Sequence, residues 1–240
     1  MATTTPEPPR AKVWEMFNRI APRYDLLNRL LSFRLDVTWR KRMAAHLPPG
    51  ADLLVLDLAT GTGDQLLALE QGCSRLRHGI GMDMAEGMLD IGRVKIHERE
   101  LGAKLEMRTG DATMIPLPDG TFDAVTMSFG IRNVVDVSQA LREIHRVLKP
   151  GGRGLILEFS LPRNPIIRTG HLFYLRRVLP AVGALISGDG YAYRYLNQTI
   201  ETFPYGEAFC TLMKDAGFAA AVPHPQTFGV ATIYQGDKAP

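Results

Sequence analysis

Residues 55–64 read VLDLATGTGD. An apolar run ends in Asp57, glycines stand two apart at Gly61 and Gly63, and a helix-like pattern follows. Glycines between a strand and a helix let the backbone approach a ligand closely. Two ligand classes use such a turn. A dinucleotide asks for G-x-G-x-x-G, and the third glycine position here holds Leu66. S-adenosylmethionine carries no phosphate, and its sulfonium and ammonium charges are positive. Carboxylates such as Asp57 and Asp64 beside the turn then attract it.

The pattern continues outward from this turn. Short apolar runs, "DLLVLDL", "LRHGIGMD", "KLEMRTG", "FDAVTMSFG" and "RGLILEFS", alternate with amphipathic stretches from residue 52 to 160. The clearest helix covers 138–148, with Leu141, Ile144, Val147 and Leu148 on one face and Ser138 as its expected cap. This alternation predicts an α/β fold: a doubly wound, mainly parallel, Rossmann-like sheet with right-handed crossovers. In such sheets ligands collect at the carboxyl ends of the strands. The second strand ends at Asp83, twenty-two residues after Gly61, where an acidic residue accepts from a ribose diol. Met84 follows it. Asp111 and Ala112 in "GDA" suit an adenine edge, and Ser128 closes the fourth strand. Four suitable groups at four successive strand ends favour a site over scattered surface carboxylates.

Before the core, residues 10–46 predict a divided helical cap, interrupted at Pro22 and resumed with Asp36 as a helix N-cap. After it, residues 163–202 mix apolar, aromatic and basic side chains and are too long for an ordinary loop. A helix near "GEAFCTLMKDAGF" and strand-like runs near 218–223 and 227–234 complete the chain. The expected organisation is a tail and cap over 1–50, a cofactor core over 51–160, a helical insertion over 161–205, and a closing helix and strands over 206–240.

Charge is uneven along these parts. Residues 1–50 hold nine Lys/Arg against four Asp/Glu, residues 51–160 twelve against sixteen, and residues 161–205 five against two. Basic flanks meet anionic partners or are simply solvated helix faces. Cys73 and Cys210 offer no disulfide framework, and six histidines scattered from His46 to His224 share no metal-ligand spacing, so no metal site is expected. No secretory signal and no transmembrane run is visible, which predicts a cytoplasmic protein.

The segments "LDLATGTGD", "MDMAEGML", "GDATMIPLPDGTFDAVTMSFGIRNV" and "ALREIHRVLKPGGRGLILEFS" resemble the core of the ubiquinone/menaquinone biosynthesis C-methyltransferase family. "MFNRIAPRYDLLNRLLSFRLDVTWRKR" and "RYLNQTI" extend the resemblance over nearly the whole chain. One departure is Ala59, where many class I methyltransferases have the first glycine of the turn. The resemblance implies S-adenosylmethionine as methyl donor, with contacts at Thr62, Asp83, Asp111, Ala112 and Ser128. It also implies a polyprenylated hydroquinone as acceptor.

Methylating a ring carbon requires aligning that carbon with a sulfonium methyl and then removing the ring proton. Arg132 and Asn133 in "GIRN" follow the fourth strand on the expected acceptor side. An arginine is a poor base, so its expected role is to stabilise a phenolate or hold a water that Asn133 orients. Tyr24 and Asp25 are candidates for a lid, and Tyr193 and Tyr195 for facing the ring. The apolar stretch 163–186 suits an isoprenoid tail or a peripheral contact with the inner face of a membrane. Naphthoquinol and methoxy-benzoquinol acceptors both stay open, and the apolar, amide-poor insertion favours demethylmenaquinol. A nicotinamide oxidoreductase, an RNA methyltransferase and a non-catalytic quinone-binding protein are the competing readings. No nucleic-acid-binding module is evident, and a homo-oligomer is compatible with the sequence.

Overall fold

The computed structural model describes the backbone of residues 13–181 and 190–240, and the side chains of these residues except Arg23 and residues 190–195. The side chains of the candidates Tyr193 and Tyr195 therefore lie outside the described ones.

The chain builds a seven-stranded sheet in the order β3-β2-β1-β4-β5-β7-β6. Five strands are parallel: β1 (Leu53–Leu58), β2 (Leu76–Asp83), β3 (Leu105–Thr109), β4 (Phe122–Ser128) and β5 (Leu148–Phe159). The last two, β6 (Ala220–Gln226) and β7 (Ala231–Asp237), run antiparallel. Strand order reverses between β1 and β4, so the carboxyl ends of β1, β2 and β4 converge on one crevice. The interior strands are apolar throughout because helices cover both faces: Leu56, Val125 and Ile156 are wholly buried. β6 is an edge strand, which is where Pro223 and Pro225 cost no ladder hydrogen bond.

Helices α3 (Asp64–Gly72), α4 (Glu86–Glu98), α5 (Val137–Val147) and α8 (Glu207–Asp215) flank the sheet. Asp136, one residue outside α5, caps it by accepting from the Gln139 amide at 2.8 Å, so Ser138 is not the cap. The cap also differs from its sequence reading. α1 (Val13–Leu31) runs unbroken through Pro22. A proline inside a helix costs about 3 kcal/mol, offset here by burying Ala21 against Ala85 and Met88. Asp36 sits inside α2 (Leu35–Met43) and is buried, accepting from Arg29 and from the Ser32 hydroxyl. Part of the basic excess of this flank is thus spent inside the protein.

The insertion forms α6 (Pro165–Phe173), a wider turn over Tyr174–Val178, and α7 (Gly190–Thr202). Asn164 caps α6, accepting from the Ile166 and Ile167 amides, with Pro165 in the first helical turn. Leu175, Leu179 and Ile200 pack with Leu27 of α1 and Leu161 in a separate small core. Tyr174 donates to the Leu31 carbonyl at 2.7 Å. Cap and insertion therefore meet each other above the carboxyl ends of the strands.

Candidate active site

Two neighbouring cavities open at those strand ends. The first, about 370 Å³, lies between β1, β2, β4 and the start of α1. The second, about 300 Å³, lies under α1, α2 and the insertion. Phe17, Tyr24, Phe129 and Asn133 line both and form the wall between them.

The first cavity is built on the glycine turn. Ala59 (φ 47°), Gly61 (φ 56°) and Gly63 (φ 79°) all adopt the left-handed conformation. The strain at Ala59 is local to the site, as backbone strain commonly is. The Gly61 amide donates to Asp83 Oδ2 at 2.8 Å and the Ala85 amide to Oδ1 at 2.9 Å. The carboxylate ending β2 is thereby held against the turn that ends β1. Burial pushes its pKa up, and the amides pull it back. Asp111 accepts from the Thr113 amide at 2.8 Å, and its second oxygen takes no donor among the described residues. Ser128 donates to Gln65 Oε1 at 2.8 Å.

The structure brings Gly61, Asp83, Met84, Asp111, Ala112 and Ser128 together around this cavity. It does not bring Asp57, Thr62 or Gly63 to the wall. Asp57 is wholly buried beneath the turn, accepting from Thr60 and Thr126 hydroxyls at 2.6 Å each, and burial pushes its pKa up to about 6. Gly63 begins α3, where an added Cβ would stand 3.3 Å from the Met107 methyl. The Thr62 hydroxyl belongs to an ionic cluster. It donates to Asp25 at 2.7 Å and accepts from Lys95 at 2.9 Å. Lys95 also reaches Asp64 at 2.8 Å, and Arg29 reaches Asp64 at 2.5 Å. Burial opposes ionisation of Asp64, yet Lys95, with Arg40 and Arg29, prevails and holds its pKa down at about 2. Asp64 thus anchors the cap and is neutralised before any cofactor arrives.

The chemistry of the first cavity selects its ligand. Among the described residues its charged lining is Asp83 and Asp111, both carboxylates, with no lysine or arginine. Two carboxylates oppose a pyrophosphate and attract a sulfonium and an ammonium. Trp14, Phe17 and Met88 supply apolar walls for a purine. S-adenosylmethionine fits these residues, and a nicotinamide dinucleotide does not.

The second cavity is aromatic with buried cations. Phe129 and Phe159 stand 4.6 Å apart between centroids, with Trp39 edge-on to Phe159 and tilted against Phe129. Arg132, in the turn Ile131–Asn133, is buried and bonds Glu158 at 2.6 Å and the Phe129 carbonyl at 2.7 Å. Burial pushes the Glu158 pKa up, while Arg132 opposes it. The Tyr24 phenol is pushed up by burial and drawn down by Asn28, Arg40 and Arg132. Sequence reasoning did not single out Trp14, Phe17, Phe129, Arg40 or Glu158. Only Glu158 left a signal, a carboxylate directly after the apolar run Leu155–Leu157 near the end of β5.

Known proteins agree with this construction. The ubiE/COQ5 methyltransferase family matches residues 7–238. The ubiquinone/menaquinone biosynthesis C-methyltransferase UbiE of Geobacter sulfurreducens is 46% identical over 95% of this chain and 88% of its own. The demethylmenaquinone methyltransferase of Thermus thermophilus is 47% identical over 93% of this chain and 100% of its own. An S-adenosylmethionine-dependent methyltransferase structure from Thermotoga maritima shares the fold, with a TM-score of 0.66 at 20% identity over 94% of this chain and 99% of its own. With the carboxylate-lined cavity beside an aromatic one, the match over nearly the whole chain establishes that this protein belongs to the ubiE/COQ5 methyltransferase family and is an S-adenosylmethionine-dependent C-methyltransferase.

Proposed function

We propose that the acceptor is a polyprenylated hydroquinone, demethylmenaquinol in preference to a methoxy-benzoquinol, and that the second cavity holds its ring. The observation that carries this reading is the shared wall. Phe17, Tyr24, Phe129 and Asn133 separate a cavity suited to the methyl donor from an aromatic one large enough for a ring. When bound, S-adenosylmethionine supplies an electrophilic methyl on a sulfonium. The chain does the rest. Residues 51–160 hold the donor through Gly61, Asp83, Asp111, Ala112 and Ser128. The cap and the insertion enclose the acceptor. Tyr24 and Asn133 sit where the two meet, and Arg132 is held rigidly by Glu158 for the acceptor side.

The names carried by the relatives support both quinol classes. The paired plates of Phe129 and Phe159 favour a fused ring, whose larger apolar area is worth about 1–2 kcal/mol. The tail leaves by a mouth at Phe33 and Phe228, which line the cavity yet are 73% and 79% exposed. Among the described residues no helix is long and apolar enough to cross a membrane, and on the present reading the tail is delivered at a peripheral surface.

The deciding experiment is methylation of a naphthoquinol and a methoxy-benzoquinol by the purified enzyme. A higher kcat/KM for the naphthoquinol is expected, and a clear preference for the benzoquinol overturns the choice of acceptor.

A further inference from the structure

Arg40 is the charged group of the second cavity that the reading above leaves without a role. It lies on α2, is 7% exposed, and lines the cavity. Its guanidinium stacks 5.2 Å from the centroid of Phe129, one of the residues shared with the donor cavity. Among the described residues no carboxylate comes within 4.0 Å of it, and its buried Nε has no hydrogen-bond partner. Asp36, one helical turn earlier, does not serve it, because both its oxygens are taken by Arg29 and Ser32. Arg132 differs in this respect, since Glu158 balances its charge at 2.6 Å. Asp64 and Asp57 act on Arg40 only through space, beyond ion-pair distance. This buried cation thus has carboxylates nearby but no anion in contact, and a contacting anion would offset part of its burial cost.

We propose that the acceptor supplies the contacting anion: Arg40 binds the ring oxygen of the hydroquinone as a phenolate. This rests on the hydroquinone reading and assigns a residue to it. The ring hydroxyl gives its proton to solvent water, and the oxygen's electron pair pushes density onto the adjacent ring carbon. That carbon forms a bond to the methyl as the methyl's bond to sulfur breaks, the pair remaining on sulfur. The ring carbon's hydrogen then leaves as a proton to water, and the ring regains aromaticity. No oxidant or reductant is consumed. Arg40 favours this course by stabilising charge that the neutral hydroquinone does not carry. The position suits it, because Arg40 contacts the wall through which the methyl must pass. Other ionisable groups surround it. Tyr24 from α1, Asp36 from α2, Arg132 backed by Glu158, and His171 from α6 line the same cavity, and the buried carboxylates Asp57 of β1 and Asp64 of α3 act on Arg40 through space.

The test uses Arg40→Met and Arg40→Lys, with 2-naphthol as a probe whose phenolate absorbs at longer wavelength than the phenol. The chain's two tryptophans divide between the cavities, Trp14 in the first and Trp39 in the second. In a Trp39→Phe background, Trp14 fluorescence reports donor binding alone. Bound to the parent enzyme, 2-naphthol should ionise about 1–3 pH units below its free value, a shift typical of a close cation. Arg40→Met should abolish that shift, lower kcat by roughly 10²-fold and leave donor affinity unchanged. Arg40→Lys should keep part of the shift. If Arg40→Met binds 2-naphthol with the parent ionisation and turns over quinol at the parent rate, the proposal is wrong. If Arg40→Met does not fold, an unshifted probe in Arg40→Lys together with full turnover refutes it equally. A shifted probe in the parent enzyme without methylation of any quinol sinks the hydroquinone reading while leaving the phenolate site standing.

Discussion

Lys95 of α4 donates to Asp25 of α1 at 2.5 Å, and the same ammonium reaches Asp64 and Thr62 of the glycine turn. One side chain therefore ties the cap to the loop that shapes the donor cavity. Because α1 also supplies Val13, Trp14, Phe17 and Tyr24 to that cavity, seating the cap and forming the site are coupled.

Replacing Lys95 by methionine should loosen this coupling. The group is partly exposed, so about 1 kcal/mol is a fair expectation for the lost network, or roughly a fivefold weaker affinity for S-adenosylmethionine. Calorimetry should show the weaker binding, and limited proteolysis should cut α1 faster. Unchanged affinity with unchanged protease resistance would mean that the cap is seated by apolar packing alone.

Asp57 and Asp64 give opposite pH dependences of stability. The folded pKa of Asp57 rises from 3.8 to about 6, so the folded state binds the extra proton. Its contribution is unfavourable once ionised: stability falls as pH rises from about 4 to 6, by about 3 kcal/mol in all. The folded pKa of Asp64 falls from 3.8 to about 2, so its contribution is present above pH 4 and is lost as pH falls towards 2. Asp57→Asn should therefore raise the melting temperature at pH 7 and remove the decline between pH 4 and 6. An amide can still accept from one threonine hydroxyl and donate to the other. A variant less stable than the parent at pH 7 would show that the ionised carboxylate holds the turn.

The strands, their parallel run and several residues lining the first cavity were legible because apolar runs, glycines and terminal acids are local signals. Asp83, Asp111 and Ser128 could be placed at strand ends without knowing any contact. The cap was less legible. Pro22 reads as a helix break, but the burial of Ala21 against Ala85 and Met88 comes from a distant segment. The roles of charges in "DVTWRKR" were illegible for the same reason. Whether Arg40 is solvated or buried depends on Phe129, eighty-nine positions later in the chain. Asp57 and Thr62 were misleading in kind: a polar residue next to a ligand turn can face the ligand or hold the turn, and spacing does not distinguish the two.

The mouth of the acceptor cavity predicts a dependence on tail length. Phe33→Ser with Phe228→Ser should raise KM for a long-tailed quinol several-fold, as about 1–2 kcal/mol of apolar contact is lost. KM for a tail-less naphthoquinol should stay within about twofold, since neither residue belongs to the shared wall. Equal effects on both acceptors would place the tail elsewhere.

The buried pair Arg132–Glu158 separates structure from chemistry. Glu158 accepts from Arg132 and from the Phe159 amide through one oxygen, and its other oxygen has no partner among the described residues. Arg132→Met should therefore destabilise the fold by about 3–5 kcal/mol, because it leaves a buried carboxylate without its cation. Burial already pushes the Glu158 pKa up, and losing Arg132 removes what opposes it. The single variant should then regain stability as pH falls and Glu158 is protonated. Arg132→Met with Glu158→Gln removes both charges and should melt near the parent temperature at neutral pH. On the acceptor-side assignment, this double variant binds S-adenosylmethionine normally and turns over at least about 10²-fold more slowly. Full turnover by the stable double variant would reduce the pair to a structural tie between β5 and the turn after β4. Weak donor binding with normal turnover of the bound complex would move Arg132 to the other cavity.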